Sequence, residues 1–273
     1  MTNTPDFLSR IIEQKRVRLE RVLSEPSRAG EVRDEALRVR GEARPHALRA
    51  TLLSETGFHI IAEIKRASPS LGDIRRDLAP AEVARLYDAA GAAAVSVLTE
   101  EDYFKGTLAD LKEVRAVTEL PLLRKDFIFD EWQLYESAAA GADVVLLIVA
   151  ALDDAQLARF RHIAEDDLGM DALVEVHTRA ELERATLCGA SIIGVNNRNL
   201  HTFEVSLDTS VELVGHAPPG ALLVSESGLR THADLQRLKS LGYRGFLVGE
   251  TLMRARDPAA ALRALSGEES PGV

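Results

Sequence analysis

Residues 143–176, DVVLLIVAALDDAQLARFRHIAEDDLGMDALVEV, decide the fold. Two short apolar runs, 143–149 and 172–176, lack the alternation of a half-solvated strand and read as strands buried on both faces. Between them 154–168 carries a helical pattern, and Gly169 offers the left-handed residue that closes a helix. Strand, helix and second strand make one parallel β/α unit. The pattern extends both ways. Further runs at 60–64, 93–98, 120–123, 191–195, 221–224 and 245–248 predict strands. Helical patterns at 81–90, 108–118, 132–139, 179–188, 209–214 and 232–241 separate them, several closed by Gly91, Gly141, Gly189 or Gly242. Eight units in about 210 residues predict an α/β fold, a closed (β/α)8 TIM barrel. An open doubly wound sheet would need a crossing point, often marked by GxGxxG, and no such glycines follow the first run.

Ahead of the barrel, residues 1–57 predict a helical extension that packs on it; 58–267 form the barrel and 268–273 a disordered tail. Thr4 caps a first helix with Pro5 at its opening position, and Leu8, Ile11, Ile12, Leu19, Val22 and Leu23 form its apolar stripe. The charged stretch 24–44 is interrupted by Pro26, Gly30 and Gly41, so only short helices are expected, at 31–39 and 46–54. The whole chain has 273 residues, 46% of them hydrophobic, and a net charge of -10, which disfavours a nucleic-acid or anionic-membrane partner. The longest apolar run, 144–152, is far short of the ~20 residues of a membrane helix. No leader pattern opens the chain, so a soluble cytoplasmic protein is expected. The single cysteine, Cys188, excludes an internal disulfide and reads as a packing residue. The histidines show no metal-ligand spacing, and no metal is expected.

Barrel chemistry sits at the C-terminal ends of the strands. Glu63 and Lys65 close the first run on one face, with Ile64 on the other. Lys125 follows the third run, Glu175 lies in the fifth, and Asn196 and Arg198 follow the sixth. Ser225-Glu226-Ser227-Gly228 and Gly249-Glu250-Thr251 follow the seventh and eighth, where Gly228, Gly249 and Glu250 can turn backbone N–H groups to a phosphate. The chain uses 27 arginines and only six lysines, yet Lys65 and Lys125 both end strands; lysine, unlike arginine, can exchange its proton. Phe104, Phe127 and Leu200 fall just past strands and can wall an aromatic ring. His177 is the one histidine near a strand end.

The motifs AEIKRASPS (62–70), SVLTE (96–100), LRKDFI (123–128), VEVH (174–177), GVNNRNL (194–200), SESG (225–228) and LVGETLM (247–253) resemble the indole-3-glycerol-phosphate synthase family. The resemblance runs from about residue 58 to 255 and extends to the N-terminal helices, which in that family lie near the barrel mouth. It implies a cofactor-free ring closure: 1-(2-carboxyphenylamino)-1-deoxyribulose 5-phosphate loses carbon dioxide and water to give indole-3-glycerol phosphate. It assigns Lys125 as the acid at the ketone oxygen and Glu175 as the base that takes the proton released on indole formation. Lys65 binds the anionic substrate and its phosphate and is a candidate proton donor for dehydration, while Glu63 holds the lysines and is a second candidate for the base, the resemblance leaving open how Lys125, Lys65, Glu63 and Glu175 divide the proton transfers. Asn196 and Ser227 position polar groups; Ser68 and Arg198 bind substrate; Phe104, Leu123, Phe127, Leu146 and Leu200 line the ring pocket. Two positions depart from the family: Glu250, often Ser, and Leu71, often Lys. The implied partner is a small phosphate-bearing anion; association with other tryptophan-pathway enzymes is not readable. Two rival readings are a Schiff-base aldolase using Lys125, which borohydride would trap, and a non-catalytic phosphate-ligand barrel, which would bind without turnover.

Overall fold

The computed structural model describes residues 7–55, 57–69, 72–75, 79–200 and 202–268. The expected helix start at Thr4–Asp6, the departure at Leu71 and the tail beyond Glu268 lie outside them. Eight parallel strands close into a barrel: β1 (His59–Ile64), β2 (Ala94–Leu98), β3 (Leu122–Lys125), β4 (Val144–Ile148), β5 (Asp171–Val176), β6 (Ile192–Asn196), β7 (Leu222–Glu226) and β8 (Gly245–Val248). Each strand pairs with its sequence neighbours, and β8 pairs with β1. Outside lie α4 (Pro80–Ala89), α5 (Leu108–Arg115), α6 (Glu131–Ala139), α7 (Asp154–His162), α8 (Arg179–Leu187), α9 (Asp208–Val214) and α10 (His232–Leu241). After β8 come a short α11 (Glu250–Arg254) and α12 (Pro258–Ser266), which the sequence reading did not assign. The helix expected over 154–168 ends early and continues as a π turn, Ile163–Asp167.

Most strand boundaries shift by a residue or two from the sequence expectation, and two of these shifts matter most for the site. Pro121 has no N–H to give a ladder, so β3 starts at Leu122 and carries Lys125 as its last residue. β7 continues past the apolar run to include Ser225 and Glu226, because its neighbour β6 is long enough to pair Val195 with Ser225 and Asn196 with Glu226.

The register sets which side chains share a level inside the barrel. Glu63 lies opposite Ser96, and Ser96 opposite Leu123, two residues before Lys125. Leu146 pairs with Leu173, two residues before Glu175, and Glu175 pairs with Gly194, itself opposite Val224, two residues before Glu226. Glu226 pairs with Leu247, opposite Ile61, two residues before Glu63. These steps circle the barrel and return to their start, as the stagger of a closed barrel requires. Alternate strands therefore contribute Glu63, Lys125, Glu175 and Glu226 to one layer. The same stagger places Ser96, Leu146, Gly194 and Leu247 in the layer beneath, and Ile61, Leu123, Leu173 and Val224 in the next. Apart from Ser96 the lower layers are apolar, and they are almost fully buried.

The extension holds both ends of the barrel rather than only its mouth. α1 (Phe7–Leu23) crosses the mouth, with Phe7 and Leu8 facing the cavity there. Its Lys15 Nζ sits 2.7 Å from Asp126, the residue after Lys125. Burial alone would raise the Asp126 carboxyl, but Lys15 and Arg124 outweigh it and lower it to about 2. α2 (Pro26–Glu42) is one continuous helix, where short broken pieces were expected. Pro26 stands at its opening turn, where a missing N–H costs nothing. Gly30 and Gly41 cost about 1 kcal/mol each in a helix interior, which packing against α6 offsets. Near its end the buried Arg40 donates to the Ala142, Leu168 and Gly169 carbonyls and to Asp143, tying the helix to the base of β4 and β5. α3 (Ala47–Leu52) then plugs that base: Leu48 and Leu52 belong to the barrel's inner cluster, and Leu52 fills the space left by Gly245.

Lys15→Met should destabilise the fold by about 3 kcal/mol, the lower range for breaking a buried ion pair, because Arg124 and Thr99 still serve Asp126. Urea titration checks it. The lowered Asp126 carboxyl adds stability that is complete above the unfolded value near ~4 and is lost as pH falls towards about 2. In Lys15→Met, with the folded carboxyl less depressed, that acid-side loss should be smaller and complete at higher pH.

Candidate active site

A cavity of about 610 Å³ opens at the C-terminal ends of the strands. Its floor is the charged layer. The Lys125 ammonium lies 3.0 Å from Glu175 Oε2 and 3.2 Å from Glu226 Oε2. Beside it, Lys65 Nζ lies 2.8 Å from Glu63 Oε1. Glu63 thus pairs with one lysine, not both; it reaches Lys125 only through its field. Burial alone would push the Lys125 ammonium down, but Glu175, Glu226 and Glu63 outweigh it and hold it far above the ordinary lysine value. Burial likewise opposes the Glu175 carboxylate, yet Lys125 and His177 keep it well below its usual range. Glu226 goes the other way: burial, and the like charge of Glu175, push it up to about 8 against the pull of Lys125. Around the Lys125 ammonium the layer thus sets one firm carboxylate, Glu175, and one carboxyl, Glu226, poised to carry a proton near neutrality.

Two glycines make the carboxylates fit. A Cβ on Gly194 would stand 2.1 Å from Glu226 Oε1, and one on Gly249 would stand 2.2 Å from Glu63 Oε1. Gly249 is therefore a spacer for Glu63 as well as a candidate phosphate donor.

Of the residues expected at the site, Glu63, Lys65, Ser68, Phe104, Lys125, Phe127, Leu146, Glu175, Asn196, Arg198, Leu200, Ser227, Gly228, Gly249 and Glu250 all line this cavity. Leu123 does not. It belongs to the barrel interior, two residues below Lys125, because side chains of one face descend by layers. The Glu250 carboxylate lies 3.9 Å from Arg198 and 3.5 Å from Arg254. Ser227 and Gly228 both have positive φ, 67° and 81°, which turns the chain sharply over the cavity rim.

Several residues that shape the site escaped the sequence reading. Glu226 is the foremost. Judged by its apolar residues the run ends at Val224, yet Leu222, Val224 and Glu226 share one face by simple alternation, and that signal was available. The buried Asn197 donates to Ser225 Oγ and to the Glu226 and Ser227 carbonyls, and accepts from Ser210, so it locks the turn that bears Ser227. The buried Glu100 accepts the N–H groups of Asp102, Tyr103 and Phe104 and so fixes Phe104 at the rim. Phe7, Phe203, Arg230 and Arg254 also border the cavity.

The model of the indole-3-glycerol phosphate synthase family matches residues 8–265 of this chain. The chain belongs to that family. It is 46% identical over 263 residues to the indole-3-glycerol phosphate synthase of Polaromonas naphthalenivorans (strain CJ2), covering 96% of this chain and 99% of that one. It is 50% identical over 228 residues to the synthase of Carboxydothermus hydrogenoformans, covering 81% and 85%. Among solved structures, 3-hexulose-6-phosphate synthase from Salmonella typhimurium superposes with TM-score 0.61 at 15% identity, covering 77% of this chain and 97% of that one. Thiamine phosphate pyrophosphorylase from Pyrococcus furiosus does so with TM-score 0.58 at 18% identity, covering 80% and 95%; these two likenesses concern the fold alone. The activity is that of the family, a decarboxylating lyase reaction that yields indole-3-glycerol phosphate in tryptophan synthesis. No described helix is long and apolar enough to cross a membrane.

The protonation of Glu226 is open to direct measurement. Difference infrared spectra between pH 6 and pH 10 should show a carboxylic-acid carbonyl band that disappears as pH rises through about 8, and Glu226→Gln should lack it. Gly194→Ala should cost about 1–3 kcal/mol by overpacking and move this titration, since the added methyl displaces the Glu226 carboxylate.

Proposed function

We propose that Lys125 is the acid and Glu175 the base of this ring closure, with Glu226 sharing the proton traffic between them. What carries the reading is the single ammonium set between two carboxylates on the cavity floor. The substrate's phosphate takes the backbone N–H groups of Gly228, Gly249 and Glu250, with Lys65 and Arg198 as countercharges. Its aromatic ring lies against Phe104, Phe127, Leu146 and Leu200. Ser68, Asn196 and Ser227 serve its polar groups. As the ring carbon attacks the ketone, negative charge grows on oxygen and Lys125 supplies the proton. Carbon dioxide then leaves, and the aromatic ring recovers. A second proton, which Lys65 is placed to give, converts the hydroxyl to departing water while Glu175 takes the remaining C–H proton.

The protonation states favour this over a Schiff-base aldolase. A nucleophilic lysine needs its ammonium value depressed, whereas Lys125 is raised by its carboxylates. A purely binding barrel would gain nothing from burying four titratable groups in one layer, since each must be compensated for its lost hydration. We place the enzyme in the cytoplasm, acting on a small phosphate-bearing anion without nucleic acid, membrane or cofactor. The deciding assay is the fluorescence of indole formed from the carboxyphenylamino-ribulose phosphate.

Lys125→Met should lower single-turnover rates by about 10²–10⁴, the usual worth of a general acid, with substrate affinity changed far less. Lys125→Arg should rescue little, because a guanidinium keeps the charge but is a poor proton donor. Glu175→Gln should also impair turnover. A Lys125→Met variant that is folded by circular dichroism and near wild-type in single turnover would transfer the acid role to Lys65. Gly228→Val should raise the apparent substrate dissociation constant, since a side chain there meets both a left-handed backbone and Val205; unchanged binding would remove Gly228 from the phosphate site.

A further inference from the structure

The reaction consumes a proton. The carboxylate leaves as neutral carbon dioxide, the ketone oxygen gains one proton, the hydroxyl gains another on leaving as water, and one C–H proton is returned. Two are given and one is recovered, so each turnover draws one proton from solvent. The catalytic cavity is then occupied by substrate, and α1 lies across its mouth, with Phe7 and Leu8 against the cavity.

A second cavity, of about 460 Å³, adjoins the first and is bordered by His177, Thr178, Glu181, Asn197, Arg198 and Glu204. Glu175 faces only the catalytic cavity, whereas His177 and Glu181 face only the second one. The contact between Glu175 and His177 therefore links the two cavities, whose shared border is formed by Leu8, Asn196, Arg198 and Leu200. His177 Nε2 lies 3.3 Å from Glu175 Oε1, and its Nδ1 lies 3.1 Å from Glu181 Oε2. The other oxygen of Glu175 meets Lys125. The chain of groups runs from Glu181, 18% exposed on the second cavity, through His177 at 9% and Glu175 at 3% to the Lys125 ammonium.

We infer that His177 is the proton inlet of the catalytic cavity, passing protons from the second cavity to Glu175 and so to Lys125 while substrate fills the mouth. After Lys125 has given its proton, the neutral amine is the strongest base nearby. His177 releases its Nε2 proton to Glu175 Oε1, and rotation of the carboxyl presents that proton to Lys125. The neutral ring keeps its Nδ1 proton, and a flip of the imidazole turns that N–H toward Glu175 and the bare nitrogen toward Glu181, where it regains a proton from the second cavity. No bond other than N–H and O–H changes, and the net transfer is one proton inward. The charged groups around His177 are Glu175 with Lys125 behind it on the barrel side, Glu181 from α8, and Arg198 and Glu204 across the second cavity. Burial alone would lower the imidazolium, but Glu175 and Glu181 outweigh it and raise it to about 10, so the ring starts each cycle loaded.

The inference rests on the acid and base roles proposed above, and its test is separable from theirs. His177→Ala should lower kcat by about tenfold or more, with KM little changed and the first ring closure of a pre-protonated enzyme unaffected. Free imidazole should restore turnover in proportion to its concentration, and proton uptake, followed with a pH dye, should slow in step with kcat. His177→Asn, which can hydrogen-bond but not relay, should stay slow and serves if the alanine variant fails to fold. Wild-type turnover in either variant would overturn the inlet. So would a loss that asparagine repairs and imidazole does not, which marks His177 as a brace for Glu175. Imidazole rescue reads proton supply whichever lysine is the acid; a failure of the Lys125 assignment appears instead in Lys125→Met.

Discussion

The ammonium of Lys125 is the constraint around which the barrel mouth is arranged. A lysine so nearly buried would ordinarily lose its proton, and two carboxylates at 3.0 and 3.2 Å prevent it. Two carboxylates so close to one cation cannot both ionise at equal ease. Glu175, backed by His177, stays charged, and Glu226, without such support, rises toward neutrality. One geometric fact thereby makes an acid, a base and a proton reservoir from three side chains.

That arrangement depends on the stagger of the strands. β1, β3, β5 and β7 each advance their functional residue to the same level, although these residues are separated by dozens of positions along the chain. The layer beneath supplies space through small residues, Ser96 and Gly194, and a floor through Leu146 and Leu247. Below that the interior is aliphatic, so the charges have nowhere to go but toward one another and the mouth. The extension keeps this frame from loosening: α3 fills the base with leucines, Arg40 fastens α2 to four acceptors, and Lys15 ties α1 to the residue next to Lys125.

The pieces of the site were legible in the sequence wherever a local rule sufficed. Alternation put Glu63 and Lys65 on one face, and the scarcity of lysine drew attention to Lys65 and Lys125. The reading went astray where a neighbour decides. Pro121 shifts β3, α2 runs through its glycines because α6 supports it, and Leu123 lies a layer below the cavity it was expected to line. Glu226 lies beyond the apolar run that ends at Val224, on a strand that continues along the ladder of β6.

By itself, then, the sequence determined the number and order of the barrel strands, the closing glycines and the chemical kinds of group at the strand ends, because these follow from periodicities of two and 3.6 residues within single segments. Only the tertiary structure decided that Lys125 meets Glu175 and Glu226 rather than Glu63, that His177 stands between Glu175 and Glu181, and that the extension reaches both ends of the barrel. Those outcomes depend on register and stagger between segments distant in sequence, and on which buried charge has a partner within about 3 Å, neither of which any local pattern encodes.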